Sequence, residues 1–182
     1  MTETRNIFLI GLMGAGKSTV GRYTARILGL PFEDSDRVIE DRAGVAIPVI
    51  FAQEGEGGFR VREKKVIREL TAKSGIVLAT GGGAVIDPEN RQLLRARGYV
   101  IYLRAPVAIL VARTAHDHHR PLLQDIDRTA RLQQLLEIRE PLYQEIAHLI
   151  LDTGTNSVRR VVRELLQHLE KISGPQKYNC GN

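Results

Sequence analysis

The feature that most constrains this chain is a run of glycines, a lysine and a serine at fixed spacing near its start. Gly11-Leu-Met-Gly-Ala-Gly-Lys-Ser18 follows a short apolar run, Asn6–Ile10, and overlaps the start of an amphipathic segment, Lys17–Leu28. Glycines permit a tight turn that points several backbone N–H groups inward, and a helix start adds positive charge. A strand, this loop and a helix in succession therefore predict a phosphate-binding site. Lys17 is expected on the β- and γ-phosphates and Ser18 on Mg²⁺.

Length and composition fit one globular domain, which we expect over residues 1–172. The chain has 182 residues, 43% of them hydrophobic, and a formal net charge of +5. A positive excess favours anionic ligands, and at this point nucleotides and nucleic acids both remain open. The single cysteine, Cys180, cannot form an internal disulfide, so nothing indicates an oxidising compartment. No apolar run reaches the roughly 18 residues of a membrane span, and we expect a cytoplasmic protein.

Short apolar runs alternate with longer helical patterns along the chain. Five strands are predicted: Asn6–Ile10, Leu30–Glu33, Ile76–Ala79, Tyr99–Leu103 and Leu149–Leu151. Helices are predicted at Lys17–Leu28, Pro88–Arg97, Pro106–Arg113, Asp127–Ile146 and Val158–Leu169, the first with Val20, Tyr23, Ile27 and Leu28 on one side. This alternation predicts an α/β fold, with a parallel sheet covered by helices on both faces.

Three segments depart from the alternation. Residues 35–73 contain helical stretches and no good strand, and we expect a helical insertion at the edge of the sheet, where a substrate can bind. A polar stretch at about residues 114–126 is predicted to form a mobile lid. Residues 173–182 have little apolar content and are predicted to be a disordered tail.

Two carboxylates, Asp34 and Asp36, follow the second predicted strand. Residues two apart in an extended segment point the same way, so both can face the ligand-binding end of the sheet. One carboxylate can serve Mg²⁺, and the other can orient a hydroxyl and take its proton. Helix capping by Asp is the competing interpretation, because Val38 and Ile39 resemble a helix start.

Cationic and glycine-rich positions complete the candidate site. Arg60 and Glu63 share a helix face, so Glu63 can hold a guanidinium that binds a carboxylate, although exposed pairs of this kind are common. Gly81–Gly83 follows the third strand and allows a close ligand or a plain turn. Arg120 lies in the predicted lid, where closure would exclude water and stabilise the transferring phosphoryl group.

Taken together, these pieces resemble the shikimate kinase family from about Asn6 to Leu169. The resemblance rests on an ordered set of motifs: G-L-M-G-A-G-K-S-T at Gly11–Thr19, D-S-D at Asp34–Asp36, G-E-x-x-F-R-x-x-E at Gly55–Glu63, G-G-G at Gly81–Gly83, R-P-L-L at Arg120–Leu123 and R-x-P-L-Y at Arg139–Tyr143. It implies a three-layer P-loop kinase fold with a central five-stranded parallel sheet, a helical substrate-binding insertion and a mobile lid.

The resemblance also implies a role for each matching residue. Shikimate is expected on Asp36, Arg60, Gly82, Gly83 and Arg139, with the two arginines on its carboxylate and Asp36 on its attacking 3-hydroxyl. ATP is expected on Gly14, Ala15, Gly16, Lys17, Ser18, Thr19, Arg113 and Arg120, with Arg113 stacked on adenine. Mg²⁺ is expected on Ser18 and Asp34. Lys17, Asp36 and Arg120 are the implied catalytic residues.

Two other functions compete with this interpretation. A gluconate kinase on the same scaffold would share the phosphate loop, but we do not expect it to pair Asp34 and Asp36 with Arg60 and Arg139. A nucleotide-gated module that binds RNA or protein is favoured slightly by three arginines between positions 159 and 163. No RNA-binding motif supports it. We therefore expect neither a nucleic-acid partner nor a membrane, and a monomer.

Overall fold

A computed structural model describes residues 5–115 and 127–173 and contains a five-stranded parallel sheet. The strands are β1 (Asn6–Ile10), β2 (Phe32–Asp34), β3 (Val77–Ala79), β4 (Gly98–Arg104) and β5 (Leu149–Asp152), in the spatial order β2-β3-β1-β4-β5. All four neighbouring pairs are parallel, which confirms the predicted sheet.

Helices connect the strands and cover the sheet. They are α1 (Lys17–Leu28), α2 (Ser35–Ala43), α3 (Ile47–Thr71), α4 (Pro88–Arg97), α5 (Val107–Thr114), α6 (Arg128–Ile146) and α7 (Val158–Ser173), and a short 3₁₀ turn spans Ala84–Ile86. Among residues 5–115 and 127–173, no helix combines the length and apolar character that crossing a membrane requires.

The core has two parts, one on each face of the sheet. In β1, Ile7 and Leu9 pack into one hydrophobic cluster, whereas Phe8 and Ile10 pack into the other. Successive side chains of a strand point to opposite faces, so an uninterrupted apolar run is the expected sequence of a strand that is buried on both sides. The central strand is therefore anchored by both layers of helices.

The face that α1 turns to the sheet differs from the predicted one. Tyr23 and Ile27 are 44% and 50% exposed, and the buried positions include Val20, Gly21 and Ala25. A Cβ atom at Gly21 would lie 3.0 Å from a methyl carbon of Leu9. The helix approaches the sheet so closely that small residues form the contact, a feature that hydrophobic periodicity does not reveal.

Strand β2 begins two residues later than predicted because Leu30 takes part in the cap that follows α1. Gly29 adopts a left-handed conformation with φ of 65°, and the N–H of Leu30 donates to the carbonyl oxygen of Ala25 at 2.9 Å. This is the hydrogen bond that closes a helix with a C-terminal glycine. Leu30 is thus part of the helix cap, and the strand starts at Phe32.

The predicted helical insertion consists of α2 and α3, which follow the edge strand β2. Helix α3 is interrupted at Gly55, where φ is 70° and ψ is −178°, so two helical pieces meet at an angle. The second piece carries Arg60 and Glu63. Of the lid predicted at about residues 114–126, residues 116–126, including Arg120, lie outside the described residues, and Thr114 ends α5. Of the tail predicted at residues 173–182, residues 174–182 lie outside them, and Ser173 ends α7.

Candidate active site

The glycine-rich loop lies between the carboxyl end of β1 and the start of α1. Gly11, Gly14 and Gly16 all have positive φ, at 141°, 80° and 93°, and a side chain at Gly11 would collide with the carbonyl of Leu103. No side chain caps the first turn of α1 within the described part of the chain. Its N–H groups therefore point into the loop, where an anion can accept their hydrogen bonds.

Lys17 folds back over this loop. Its Nζ donates to the carbonyl oxygens of Gly11 at 2.8 Å and Leu12 at 3.0 Å. A lysine on the first turn of α1 thus holds its ammonium group against the loop backbone. The charge lies where the phosphate chain of a nucleotide would enter.

The capping interpretation of Asp34 is confirmed, and the same carboxylate also reaches the phosphate loop. Its Oδ2 accepts a hydrogen bond from the Ser18 hydroxyl at 2.6 Å, and its Oδ1 caps α2 by accepting from the N–H of Asp36 at 3.1 Å. The cap fixes the carboxylate so that its other oxygen meets the phosphate loop. Carboxylate and hydroxyl oxygens suit Mg²⁺, which binds through few protein ligands and keeps several waters, so the donor set fits that ion.

No richer metal-binding cluster competes with this position. Among residues 5–115 and 127–173, no group of three or more His, Cys, Asp or Glu side chains has the spacing to hold a metal ion. Ser18 and Asp34 are therefore the best candidates for a divalent cation in this part of the chain.

Gly81–Gly83, which we call the glycine floor, form a surface that acidic side chains border. A Cβ atom at Gly81 would lie 2.6 Å from Oδ1 of Asp36 and 2.9 Å from Oε1 of Glu63. The N–H of Gly81 donates to the buried hydroxyl of Ser35 at 2.9 Å, which ties the triplet to the start of α2. The carboxylates of Asp36 and Glu63, which come from different helices, thus border the same residue.

The arginines reach the same floor. A Cβ atom at Gly83 would lie 2.7 Å from Cζ of Arg60, and one at Gly82 would lie 3.7 Å from Nη1 of Arg139. The same Cβ atom at Gly82 would lie 3.4 Å from the backbone nitrogen of Met13, in the phosphate loop. A side chain at Gly83 would collide with the guanidinium of Arg60, whereas a Cβ atom at Gly82 would make ordinary contacts with the loop and with Arg139.

Arg60 is held by an ion pair that is largely removed from water. Its Nη1 donates to Oε2 of Glu63 at 2.7 Å, and the side chains are 22% and 2% exposed. Burial raises the pKa of the Glu63 carboxyl, and the charge and hydrogen bond of Arg60 oppose that effect. The pair is therefore not the solvated surface contact that such spacing often gives, and the guanidinium is fixed in direction.

Arg139 carries a charge that is almost fully buried. The residue is 3% exposed, and its buried Nε has no hydrogen-bond partner among the described residues. Burial lowers the pKa of Arg139, as does the charge of Arg60, while Tyr143 acts in the opposite direction. A buried guanidinium that no described carboxylate pairs with has the chemistry of an anion-binding group.

Tyr143 contacts the candidate site through Gly82, a contact that the sequence did not reveal. Its hydroxyl donates to the carbonyl oxygen of Gly82 at 2.5 Å, and its ring stacks on Tyr102 at a centroid distance of 4.9 Å. The R-x-P-L-Y motif contains it, but an isolated tyrosine on a helical pattern usually indicates core packing. Ser35, which lies between the two aspartates and accepts a hydrogen bond from the Gly81 N–H, was also not identified from the sequence.

Arg113 links the phosphate loop to the turn after β5. Its guanidinium donates to the carbonyl oxygens of Gly14 at 3.2 Å, Thr153 at 2.5 Å and Gly154 at 3.2 Å. The hydroxyl of Thr153 donates to the carbonyl of Ala15 at 2.9 Å and strengthens the link. Arg113 thus lies beside the loop, as expected of a nucleotide-binding residue, and its stacking on adenine stays a prediction.

The opposite, amino end of the sheet carries a second concave surface, of about 480 Å³, lined by several basic side chains. Two of them serve helix ends: Arg95 donates to the carbonyl of Glu145, near the end of α6, and Arg97 donates to the carbonyl of Arg68 at 3.3 Å, near the end of α3. Cations stabilise helix C-termini in this way. Part of the positive charge of the chain therefore has a structural use far from the phosphate loop.

The parallel sheet, the phosphate loop after β1 and the acidic residues at and beyond the end of β2 place the chain in the P-loop class of nucleotide-binding proteins, which includes ATP-dependent kinases. Residues 13–170 match the sequence model of one family in this class, shikimate kinase. The shikimate kinase of Ralstonia nicotianae is 58% identical over 165 residues, which cover 91% of this chain and 87% of that protein. The chain belongs to the shikimate kinase family.

Solved structures agree with this assignment. A shikimate kinase from Acinetobacter baumannii in complex with shikimate has a TM-score of 0.90 and 47% identity, and the match covers 95% of this chain and 96% of that one. A gluconokinase from Sinorhizobium meliloti has a TM-score of 0.63 at 18% identity, covering 94% of this chain and 95% of that one. The second similarity extends to the fold alone.

Proposed function

We propose that this chain transfers the γ-phosphoryl group of ATP to the 3-hydroxyl of shikimate, giving shikimate 3-phosphate and ADP. One observation carries the proposal: the buried guanidinium of Arg139 converges with Arg60 on the glycine floor, which also borders Asp36 and the phosphate loop. Such a pocket suits a small molecule with a carboxylate at one end and a reactive hydroxyl at the other.

Arg60 and Arg139 grip the substrate carboxylate, and Gly82 and Gly83 provide the surface beneath its ring. Guanidinium groups bind carboxylates through paired, charge-assisted hydrogen bonds, which specify direction as well as charge. Because Glu63 holds Arg60 in place, the Arg60 side chain loses little conformational entropy when the substrate binds.

Asp36 orients the attacking hydroxyl. The hydroxyl oxygen forms a bond to the γ-phosphorus while the bond from that phosphorus to the bridging oxygen of ADP breaks, and the hydroxyl proton passes to the Asp36 carboxylate. The position of Asp36, beside Gly81 and at the start of α2, puts its carboxylate at the end of the sheet where the phosphate loop lies.

The nucleotide binds along the phosphate loop. Backbone groups of Gly14, Ala15 and Gly16 and the first turn of α1 at Ser18 and Thr19 cradle the phosphates, and Lys17 leaves its loop carbonyls to contact the β- and γ-phosphates. Arg113 supports the adenosine side. Arg120, outside the described residues, is assigned to the γ-phosphate from the family motif.

Ser18 and Asp34 would hold Mg²⁺, Asp34 through water. When bound, the ion would supply positive charge that offsets the negative charge developing during transfer. The 2.6 Å hydrogen bond between Ser18 and Asp34 already brings the oxygens of these two side chains together.

We also assign the activity to a cytoplasmic monomer that needs neither nucleic acid nor membrane. Both substrates are small anionic metabolites, and the lone cysteine of the sequence provides no internal disulfide.

The test is to measure ADP release with Mg-ATP and shikimate, gluconate or no acceptor. We expect release that depends on shikimate, with the phosphate recovered on its 3-hydroxyl. Activity with gluconate and not with shikimate would overturn the proposal. Equal release without an acceptor would indicate a nucleotide hydrolase.

A further inference from the structure

Arg60 binds a second carboxylate besides Glu63. Its Nε and Nη2 both donate to Oε1 of Glu56, at 3.3 and 2.8 Å. These two nitrogens form the side edge of the guanidinium, which is one of the two edges that can bind a carboxylate through paired hydrogen bonds. In this structure, therefore, a glutamate of the same chain fills that edge.

The terminal edge of Arg60 is closed by the backbone. A Cβ atom at Gly83 would lie 2.7 Å from Cζ and nearer still to both Nη atoms, which places it in front of the terminal edge. Nη1 is also used by Glu63. A substrate carboxylate that binds Arg60 through two hydrogen bonds therefore needs the edge that Glu56 occupies.

The two glutamates differ in how firmly they are held. The side chain of Glu63 is 2% exposed, whereas that of Glu56 is 52% exposed. A buried carboxylate cannot leave its partner without a large cost in solvation, but an exposed one exchanges its partner for water at small cost. Glu56 is thus the ligand that can be displaced.

The backbone around Glu56 is suited to such a movement. Gly55, directly before it, breaks helix α3 with φ of 70°, and Gly57 follows with open space around it. The residues on either side of Glu56 therefore lack side chains that would fix the local conformation.

We propose that Glu56 is an internal carboxylate ligand of Arg60 that occupies the place of the substrate carboxylate and is displaced when the substrate binds. This inference rests on the proposed function. It makes Glu56 a determinant of specificity: a ligand gains the side edge of Arg60 only if it brings a carboxylate that competes with the one already present. It also neutralises Arg60 while the site is empty.

The experiment measures binding of shikimate by calorimetry in the absence of nucleotide. Glu56→Gln keeps the size of the side chain and removes its charge. We expect shikimate to bind about twofold to fivefold more tightly, the range that corresponds to a partly exposed ion pair. The methyl ester of shikimate, which lacks the competing charge, is expected to bind the variant and the unchanged protein equally.

A matched control lies on the other side of Gly55. Glu54 forms an ion pair of 2.7 Å with Arg62, is also partly exposed and does not touch Arg60. Glu54→Gln is expected to leave the affinity for shikimate unchanged. Thermal unfolding of both variants checks that the fold is retained.

The outcomes separate this inference from the function on which it rests. If Arg60→Ala leaves the affinity for shikimate unchanged, the carboxylate-binding role of Arg60 is wrong, and the inference fails with it. If Arg60→Ala weakens binding but Glu56→Gln fails to tighten it, only the inference is overturned. Weaker binding by Glu56→Gln would assign Glu56 to holding Arg60 in position.

Discussion

Arg139 has a charged side chain at a position that is 3% exposed. The cost of removing a guanidinium from water is large, and a nearby opposite charge offsets only part of it. Glu63 provides that charge, since its carboxyl is buried and interacts electrostatically with both Arg60 and Arg139. At the scale of single residues, the candidate site is a set of buried charges, and we propose that a ligand completes their balance.

We expect turnover to depend most directly on Asp36. Asp36→Asn keeps the shape of the side chain but cannot take the hydroxyl proton, and we expect turnover to fall by at least about 100-fold. ATP binding is expected to persist, because the phosphate loop does not include this residue.

Steady-state kinetics and nucleotide titration provide the measurement for Asp36. Asp41→Asn is the matched control, since Asp41 lies on the same helix, pairs with Arg37 at 3.5 Å and is 66% exposed. Turnover of Asp36→Asn close to that of Asp41→Asn would refute the role of Asp36.

Tyr143 tests how the glycine floor is held. Burial raises the pKa of Tyr143 well above its ordinary value, so its hydroxyl stays a donor to the Gly82 carbonyl at any physiological pH. Tyr143→Phe leaves that buried carbonyl without its donor, which costs about 1–3 kcal/mol of unfolding free energy. We also expect weaker binding of shikimate and unchanged binding of ATP.

Urea denaturation and ligand titration measure both effects of Tyr143→Phe. The stacking partner offers a control, because the Tyr102 hydroxyl makes only a 3.4 Å contact with Glu140. Equal losses of unfolding free energy and of affinity for shikimate in Tyr143→Phe and Tyr102→Phe would contradict the role given to the hydrogen bond between Tyr143 and Gly82.

At the scale of the elements, side chains at helix starts connect one element to the next. Asp34 ends β2, caps α2 and contacts α1 through Ser18. Asp87 has a similar place before α4, where it accepts hydrogen bonds from the N–H groups of Glu89 at 2.7 Å and Asn90 at 3.3 Å. Each capping residue thus joins the end of one element to the first turn of the next helix.

The cap at Asp87 gives stability a defined pH dependence. Partial burial alone would raise the pKa of Asp87, but hydrogen bonds from Lys64 and two backbone amides outweigh it and hold the pKa below its ordinary 3.8. A lowered folded-state pKa stabilises the protein above pH 3.8, and this contribution is lost as the pH falls through the folded-state value.

We therefore expect Asp87→Ala to cost about 1 kcal/mol at pH 7, the usual value of a lost helix cap, and less as the solution is acidified below pH 3.8. Urea denaturation across that pH range is the measurement. Asp87→Asn keeps the hydrogen-bond acceptor and should lose less, and its loss should also shrink below pH 3.8 because only the unchanged protein has the titrating carboxylate. A constant loss in Asp87→Ala at every pH would contradict the assignment.

At the scale of the whole molecule, the proposed binding sites of the two substrates are built on different elements. The acceptor side is built on α2, α3 and α6, whereas the nucleotide side is built on the loop before α1 and the turn after β5, which Arg113 joins. The two sides meet at the glycine floor, where Gly82 lies against Met13, and at the hydrogen bond between Ser18 and Asp34. We expect damage to one side to leave binding on the other intact.

Arg113→Ala tests this separation. Loss of hydrogen bonds from a charged donor to three loop carbonyls is expected to weaken ATP binding at least about tenfold. Affinity for shikimate should be unchanged, as isothermal titration with each ligand alone can measure. Arg160→Ala, a change at an exposed arginine of α7 paired with Glu164, is the control. An equal loss of affinity for both substrates would show that the sides are not independent.

The pattern of the chain alone determined the strands, most helices and the phosphate loop, because burial on both faces, glycine at positive φ and a helix start leave direct traces in local sequence. The surface that α1 turns to the sheet was decided by tertiary structure, since Gly21 makes a close contact possible without adding hydrophobicity. The same holds for Tyr143 and for the burial of Arg139. A tyrosine or arginine on a helix is identical in sequence whether it faces solvent or a pocket, and only the packing of distant elements distinguishes the two.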